Sequence, residues 1–107
     1  KKDMIKRAGE NVPAAEVEAV INVHPKVLES AAVGVPDEMR DEAIKVFVTI
    51  KEGESVTEEE ILEHCRQILM KTKVPSYVEF VNELPKTSTG KIQKHLLRDG
   101  RYKGSSN

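Results

Sequence analysis

Residues Ala43 to Ile50 constrain the fold more than any other stretch. Ile44, Val46, Val48 and Ile50 alternate with Lys45, Phe47 and Thr49. Period-two alternation of β-branched residues predicts a strand with one face in a core, and Phe47 gives the other face an apolar patch of its own. The preceding run Val27 to Val35 is rich in small and β-branched residues and stops at Pro36-Asp37, a turn signal. The simplest arrangement is an antiparallel pair joined by a loop from Asp37 to Glu42.

Helical and turn signals flank this pair. Met4 and Ile5, followed by Gly9 and Asn11, read as a short strand or hairpin. Pro13 is suited to opening a helix, because its missing N–H is not needed there. Glu16, Val17, Val20 and Ile21 then set an apolar face with Glu18 outside it, up to a stop near Asn22 to Pro25. Thr57 with Glu60 three positions later is a capping box. Glu58, Glu59 and Glu60 fall in the first turn, where the helix dipole favours carboxylates. Ile61, Cys65, Ile68 and Leu69 form the predicted buried stripe. Val74-Pro75 ends this pattern, Val78 to Val81 reads as another strand, and a short helix including Leu96 and Leu97 follows. The order β-α-β-β-α-β-loop-α predicts an α+β two-layer sandwich, a small mixed sheet with helices packed on one side, plus an N-terminal hairpin. Strand order is not readable from the pattern.

Composition excludes several function classes. The chain has 107 residues, one modest core's worth, with 17 basic side chains against 18 acidic ones. That balance, with few aromatics and no basic stripe, argues against a nucleic-acid binder, although Lys94, His95, Arg98, Arg101 and Lys103 form a basic tail. Cys65 is the single cysteine, so no internal disulfide framework or thiolate cluster is expected. His24 and His95 lack ligand partners at useful spacing, and no metal site is expected. No segment has the length and apolarity of a membrane span, and a cytoplasmic protein is the default expectation. The start at Lys1 to Lys6 and the polar end Arg101 to Asn107 read as cut ends of a longer chain.

Chemistry concentrates in Leu84-Pro85-Lys86-Thr87-Ser88-Thr89-Gly90-Lys91-Ile92. Gly90 permits a tight turn or close approach to a ligand, three hydroxyls precede it, and Lys91 offers a mobile positive charge to an anionic substrate. A P-loop is rejected, because Pro85 stands where its first glycine belongs and Ile92 where its Ser or Thr belongs. Read from the residues alone, a solvated turn with an incidental lysine stays open beside the functional reading. So does a plain hairpin turn at Gly9.

Taken together, the motifs resemble the C-terminal domain of the adenylate-forming acyl-CoA synthetases, a superfamily that includes luciferases and peptide-synthetase adenylation domains. Lys2-Asp3-Met4-Ile5-Lys6-Arg7-Ala8-Gly9-Glu10-Asn11-Val12, with Glu16-Val17-Glu18, is similar to its opening segment. His24-Pro25-Lys26-Val27, Gly34-Val35-Pro36-Asp37-Glu38 and Lys73-Val74-Pro75 follow in the family's order, and Pro85 to Ile92 resembles its terminal lysine motif. The likeness covers nearly the whole chain but only the last part of a family enzyme. It implies that residues 1–107 are a mobile domain whose partner is a large N-terminal domain of the same chain.

What the resemblance implies for the site is specific. Lys91 is the adenylation lysine, acting as carboxylate attacks the α-phosphate of ATP. Gly9 and Glu10 in the hairpin, and Gly90 in the loop, are cofactor-contacting positions, the hairpin lining the CoA path after the domain rotates. Lys2 is the hinge. ATP, CoA and Mg2+ are implied for the full-length enzyme, with none held tightly by this piece, which alone is expected to be inactive. One departure is Asp41, where many members carry glycine before Glu42; with the hairpin and Lys73 to Tyr77 it resembles bacterial crotonobetaine/carnitine-CoA ligases, implying a small carboxylic acid substrate. An adenylation domain that loads a carrier protein, and a non-catalytic binding module, are the rival readings.

Overall fold

A computed structural model describes residues 3–39, 41–98 and 102. Strands β1 (Met4–Arg7) and β2 (Glu10–Pro13) form an antiparallel hairpin that pairs Ile5 with Val12 and Arg7 with Glu10. The two residues between them, Ala8 at φ 53° and Gly9 at φ 85°, both lie in the left-handed region. A two-residue turn of this kind matches the right-handed twist of its strands only with positive φ at both positions. Glycine meets that demand freely, whereas Ala8 adopts it under strain.

Helix α1 (Ala14–Asn22) follows directly, with Pro13 as its N-cap at φ −67° and the first helical N–H, from Ala14, donating to the Asp3 carbonyl at 2.9 Å. Ala14, Val17 and Ile21 are its buried stripe. Glu18 departs from the expected outward position. Its Oε2 accepts the Ala32 N–H at 2.8 Å and pairs with the Lys94 ammonium at 2.6 Å. The carboxylate thereby satisfies a backbone donor on a strand edge that no neighbouring strand covers.

Strands β3 (Val27–Pro36) and β4 (Glu42–Ile50) are antiparallel, in register from Val27↔Ile50 to Pro36↔Glu42 with an irregularity between Val27 and Glu29. Strand β5 (Tyr77–Phe80) runs parallel to β4, pairing Lys45 with Tyr77 and Val48 with Phe80. The sheet is therefore mixed, in the order β3-β4-β5. A parallel neighbour requires a crossover, and helix α2 (Glu58–Ile68) supplies it. Its capping box is formed: Thr57 Oγ1 accepts the Glu60 N–H at 3.1 Å, and Glu60 Oε1 accepts the Thr57 N–H at 2.7 Å.

Strand β4 is buried on both faces. Ile44, Val46 and Val48 join Ala32, Ile5, Val12, the α1 stripe, Ile61, Cys65 and Leu69 in the larger core. Phe47 faces the other way, into a smaller core of Ala31, Val33, Val81, Leu84 and Leu97. Each such fully buried aliphatic or aromatic side chain is worth about 1.5–3 kcal/mol. The α+β class, mixed sheet and hairpin are as the sequence predicts. Helices are not confined to one side, however, because the short α3 (Lys94–Arg98) places Leu97 on the Phe47 face. Ile68 is 56% exposed and does not join its expected stripe. The helix ends there, and extended Leu69, at ψ 150°, turns its own side chain inward instead. Burial pushes the Cys65 thiol up to about 11, leaving it an unreactive part of the core.

The strained turn makes a stability prediction. Ala8→Asn creates the Asn-Gly pair that tolerates two positive φ values, and should stabilise the domain by about 0.5–1 kcal/mol. Urea unfolding measures it; a lower midpoint in the variant would show that Ala8 is unstrained.

Candidate functional site

The segment carrying Lys91 is a hydrogen-bonded turn on an apolar base. Leu84 is buried, and Ile92 packs with Leu97 and Val35 around the smaller core. Lys86 and Ile92 form an antiparallel bridge, continued by the Gln93 N–H donating to the Pro85 carbonyl at 2.8 Å. Inside that bridge the Thr87 N–H donates to the Lys91 carbonyl at 2.8 Å, and the Gly90 N–H to the Thr87 carbonyl at 2.9 Å. Thr87 Oγ1 accepts the Lys91 N–H at 3.1 Å and lies 3.0 Å from Thr89 Oγ1. Gly90 sits at φ 91°. Of the two roles the sequence offers it, a tight turn or close approach to a ligand, the turn is the one it fills within this domain.

The two lysines of this segment differ in electrostatic state. Lys86 pairs with Glu29 of β3 at 2.9 Å, which ties the loop to the sheet. Lys91 is exposed, and among the described residues no carboxylate pairs with it. A rigid turn therefore holds up an uncommitted ammonium. Chemically, that group can bridge two anions that approach it from outside this domain.

The Gly9 hairpin is a separate structure. Ile5 and Val12 anchor it in the larger core. The Lys6 N–H donates to Glu42 Oε1 at 2.8 Å, and Arg7 Nη1 donates to the Thr72 carbonyl at 2.8 Å. Gly9 and Glu10 are exposed at its tip, and a Cβ on Gly9 would meet nothing within 4 Å of this domain. Within the fold, Gly9 is required for its φ alone. Beside the hairpin, Arg7, Arg66, Leu69, Lys71, Val74, Pro75 and Ser76 line an open groove of about 490 Å³, and the buried Arg7 Nε has no hydrogen-bond partner.

The structure therefore does not bring Lys91 and Gly90 together with Gly9 and Glu10. The loop rests on the Phe47 side of the sheet and the hairpin on the Ile44–Val46–Val48 side. Lys2, the expected hinge, lies outside the described residues. So do Arg101 and Lys103 of the basic tail, whereas Lys94 and Arg98 are engaged by Asp3 rather than presented as a phosphate-binding stripe. Among the described residues, no group of three His, Cys, Asp or Glu side chains is placed to hold a metal ion, and no helix is long and apolar enough to cross a membrane. His24 and His64 meet edge to face with centroids 5.0 Å apart. His24 Nδ1 accepts the Lys26 N–H at 3.1 Å, and His64 Nε2 donates to the Val20 carbonyl at 2.7 Å, so both act as contacts between α1 and α2. Burial, then the neighbouring His64 and Lys26, holds His24 below its ordinary pKa.

Glu42, Thr72, Glu29 and Lys94 support these two surfaces, and the sequence reading gave none of them that role. Each acts on a partner tens of residues away, and only the fold reveals the pairing.

A sequence profile described as the AMP-binding enzyme C-terminal domain matches residues 16–91. The crotonobetaine/carnitine–CoA ligase of Citrobacter koseri is 49% identical over 96 residues, covering 90% of this chain and 19% of that protein. The long-chain-fatty-acid–CoA ligase of Yersinia pestis is 53% identical over 103 residues, covering 96% of this chain and 18% of that protein. Apo MatB from Rhodopseudomonas palustris superposes with a TM-score of 0.89 at 37% identity, over 92% of this chain and 20% of that one. The chain spans about a fifth of the length of these relatives.

The closed turn has a measurable consequence. Gly90→Ala forces a Cβ into the left-handed region and should cost about 1–2 kcal/mol. Amide exchange at Gly90 and Lys91 should accelerate with it, and unchanged protection at both would contradict the geometry above.

Proposed function

This chain belongs to the family of AMP-binding enzyme C-terminal domains, and we propose that it is the mobile C-terminal domain of an ATP-dependent acyl-CoA ligase. The observation that carries the reading is the presentation of Lys91: an exposed ammonium with no carboxylate partner among the described residues, fixed by backbone and Thr87 hydrogen bonds. In the first half-reaction an acyl carboxylate oxygen attacks the α-phosphorus of ATP, the bond to the bridging oxygen breaks, and pyrophosphate leaves. Lys91 lies between the carboxylate and phosphoryl oxygens, reducing repulsion between two anions and stabilising charge as it develops.

In the second half-reaction the thiol of CoA attacks the acyl carbonyl of the adenylate and AMP departs with the bonding electron pair. The hairpin with Gly9 and Glu10 lines the path of the pantetheine arm. Its position across the sheet from the Lys91 loop supports a domain that rotates, about a hinge at Lys2, to offer one surface and then the other. Arg7 and Lys71 in the adjoining groove suit a polyanionic acceptor such as CoA, whereas Arg66 there is paired with Glu59 and Glu63. ATP, CoA and Mg2+ are the proposed co-substrates and ion of the full-length enzyme. The large N-terminal domain is the partner, and the cytoplasm the proposed location.

For the acyl substrate we propose a small carboxylic acid such as crotonobetaine or carnitine, which the name of the Citrobacter koseri relative supports. The Yersinia pestis relative is named for long-chain acids, so turnover of the two acid classes by the full-length enzyme decides.

Lys91→Ala in the full-length enzyme should slow ATP–pyrophosphate exchange by about 10²–10³-fold, the scale of losing one preorganised electrostatic group. Thioester formation from supplied acyl-adenylate should change little. Gly9→Leu should reverse the bias. Equal losses in both half-reactions for either variant would contradict the assignment. The purified 107-residue chain should form no acyl-CoA, and ligation by it would refute the reading outright.

A further inference from the structure

One half-buried ammonium joins the two ends of the described chain. Lys94 opens α3, three residues beyond Lys91, and its side chain is only 16% exposed. It contacts the Asp3 carboxylate and, at 2.6 Å, Glu18 Oε2 of α1. Arg98, one turn further along α3, reaches the same Asp3 at 3.5 Å. Glu18 in turn accepts the Ala32 N–H of β3 at 2.8 Å, and the Asp3 carbonyl accepts the first N–H of α1 at 2.9 Å. A single cation thus connects the start of the described chain, α1, the β3 edge and the segment that carries Lys91.

Lys86 ties the arm before the turn to Glu29 at 2.9 Å, and the arm after it, which carries Lys91 and α3, needs a tie of its own. Helix α3 has five residues, too few to hold itself by helical hydrogen bonding alone. Leu84, Ile92 and Leu97 press it onto the smaller core, but apolar contacts are non-directional and do not fix the azimuth of a short helix. Exposed ion pairs contribute little as a rule. This one differs because two carboxylates converge on one poorly solvated ammonium. Without it, Glu18 would lose its cation and Asp3 would keep only the longer contact to Arg98.

We propose that Lys94 is a positioning residue for adenylation: it locks the Lys91 turn to Asp3, so that rotation of the domain delivers Lys91 to a defined place. This inference rests on the function proposed above. Chain entry at Asp3 is where that rotation is transmitted into the domain, and Lys94 carries it across to the opposite end of the sequence.

The test uses the full-length enzyme and follows both half-reactions for Lys94→Gln, Lys94→Arg, Asp3→Asn and Lys91→Ala. Lys94→Gln should slow pyrophosphate exchange by about 10–100-fold, the scale of a catalytic group displaced by an ångström. Thioester formation from supplied acyl-adenylate should stay within about threefold, since Lys91 is idle in that step. Lys94→Arg, which can still bridge both carboxylates, should recover most of the lost exchange. Asp3→Asn should show the same bias more weakly, and it keeps the test decisive if Lys94→Gln folds poorly. Equal loss in both half-reactions, wild-type exchange in Lys94→Gln or in Asp3→Asn, or failure of Lys94→Arg to rescue would each overturn the proposal. Lys91→Ala separates the two levels. If it leaves exchange intact, the functional reading fails; if it abolishes exchange while Lys94→Gln is normal, only the positioning role fails.

Discussion

Because β4 lies between two neighbours and is buried on both faces, side chains one residue apart on it belong to different cores. Ile44, Val46 and Val48 hold α1, α2 and the hairpin, whereas Phe47 holds Val81, Leu84 and Leu97. The separation of the two candidate surfaces follows directly. A hairpin anchored by Ile5 and Val12 and a turn anchored by Leu84, Ile92 and Leu97 cannot meet within this domain. Any chemistry that uses both must draw on something outside this domain, and the proposed rotation does so by presenting them in succession.

Electrostatic commitment then distinguishes the lysines. The surface is nearly balanced, with formal net charge −1, and many cations are already engaged. Lys73 pairs with Glu16 at 3.0 Å, Lys45 with Glu79 at 2.8 Å and Lys86 with Glu29 at 2.9 Å. Lys94 is held by two carboxylates. Such pairs add little stability each, but they decide which charges stay local. Lys91 shares the lack of such an anion with Lys6, Lys51 and Lys71 among the described residues, and what sets it apart is its place in the closed turn bonded through Thr87. Rigid backbone combined with an uncommitted charge is the combination that electrostatic catalysis requires, because the group need not reorganise when the anions arrive.

Much of the fold was legible in the sequence because its signals are local. The alternation across β4, the capping box at Thr57 and the turn at Gly9 each involve residues within a few positions of one another. The lysine motif was legible as a motif, and the family profile over residues 16–91 agrees with the resemblance it carried. Where the reading erred, a distant partner decided the outcome. Glu18 appeared solvated until β3 brought the Ala32 N–H and α3 brought Lys94 against it. Ile68 fitted the helical period, but the helix ended beneath it and Leu69 took the buried place. Gly90 was legible as a tight turn, but the bonds that close it, from the Gly90 and Lys91 N–H groups to Thr87, have no signature beyond residue type. The strand order also waited on the structure, since β5 pairs in parallel across a crossover that alternation cannot register.

The most direct measurement is a structure of the full-length enzyme trapped with a non-hydrolysable acyl-adenylate analogue, in each orientation the small domain adopts. The account predicts one orientation in which Lys91 Nζ lies about 3 Å from the acyl and phosphoryl oxygens, and another in which the Gly9 hairpin takes that place. A Lys91 ammonium remote from the reacting centre in every orientation would contradict it.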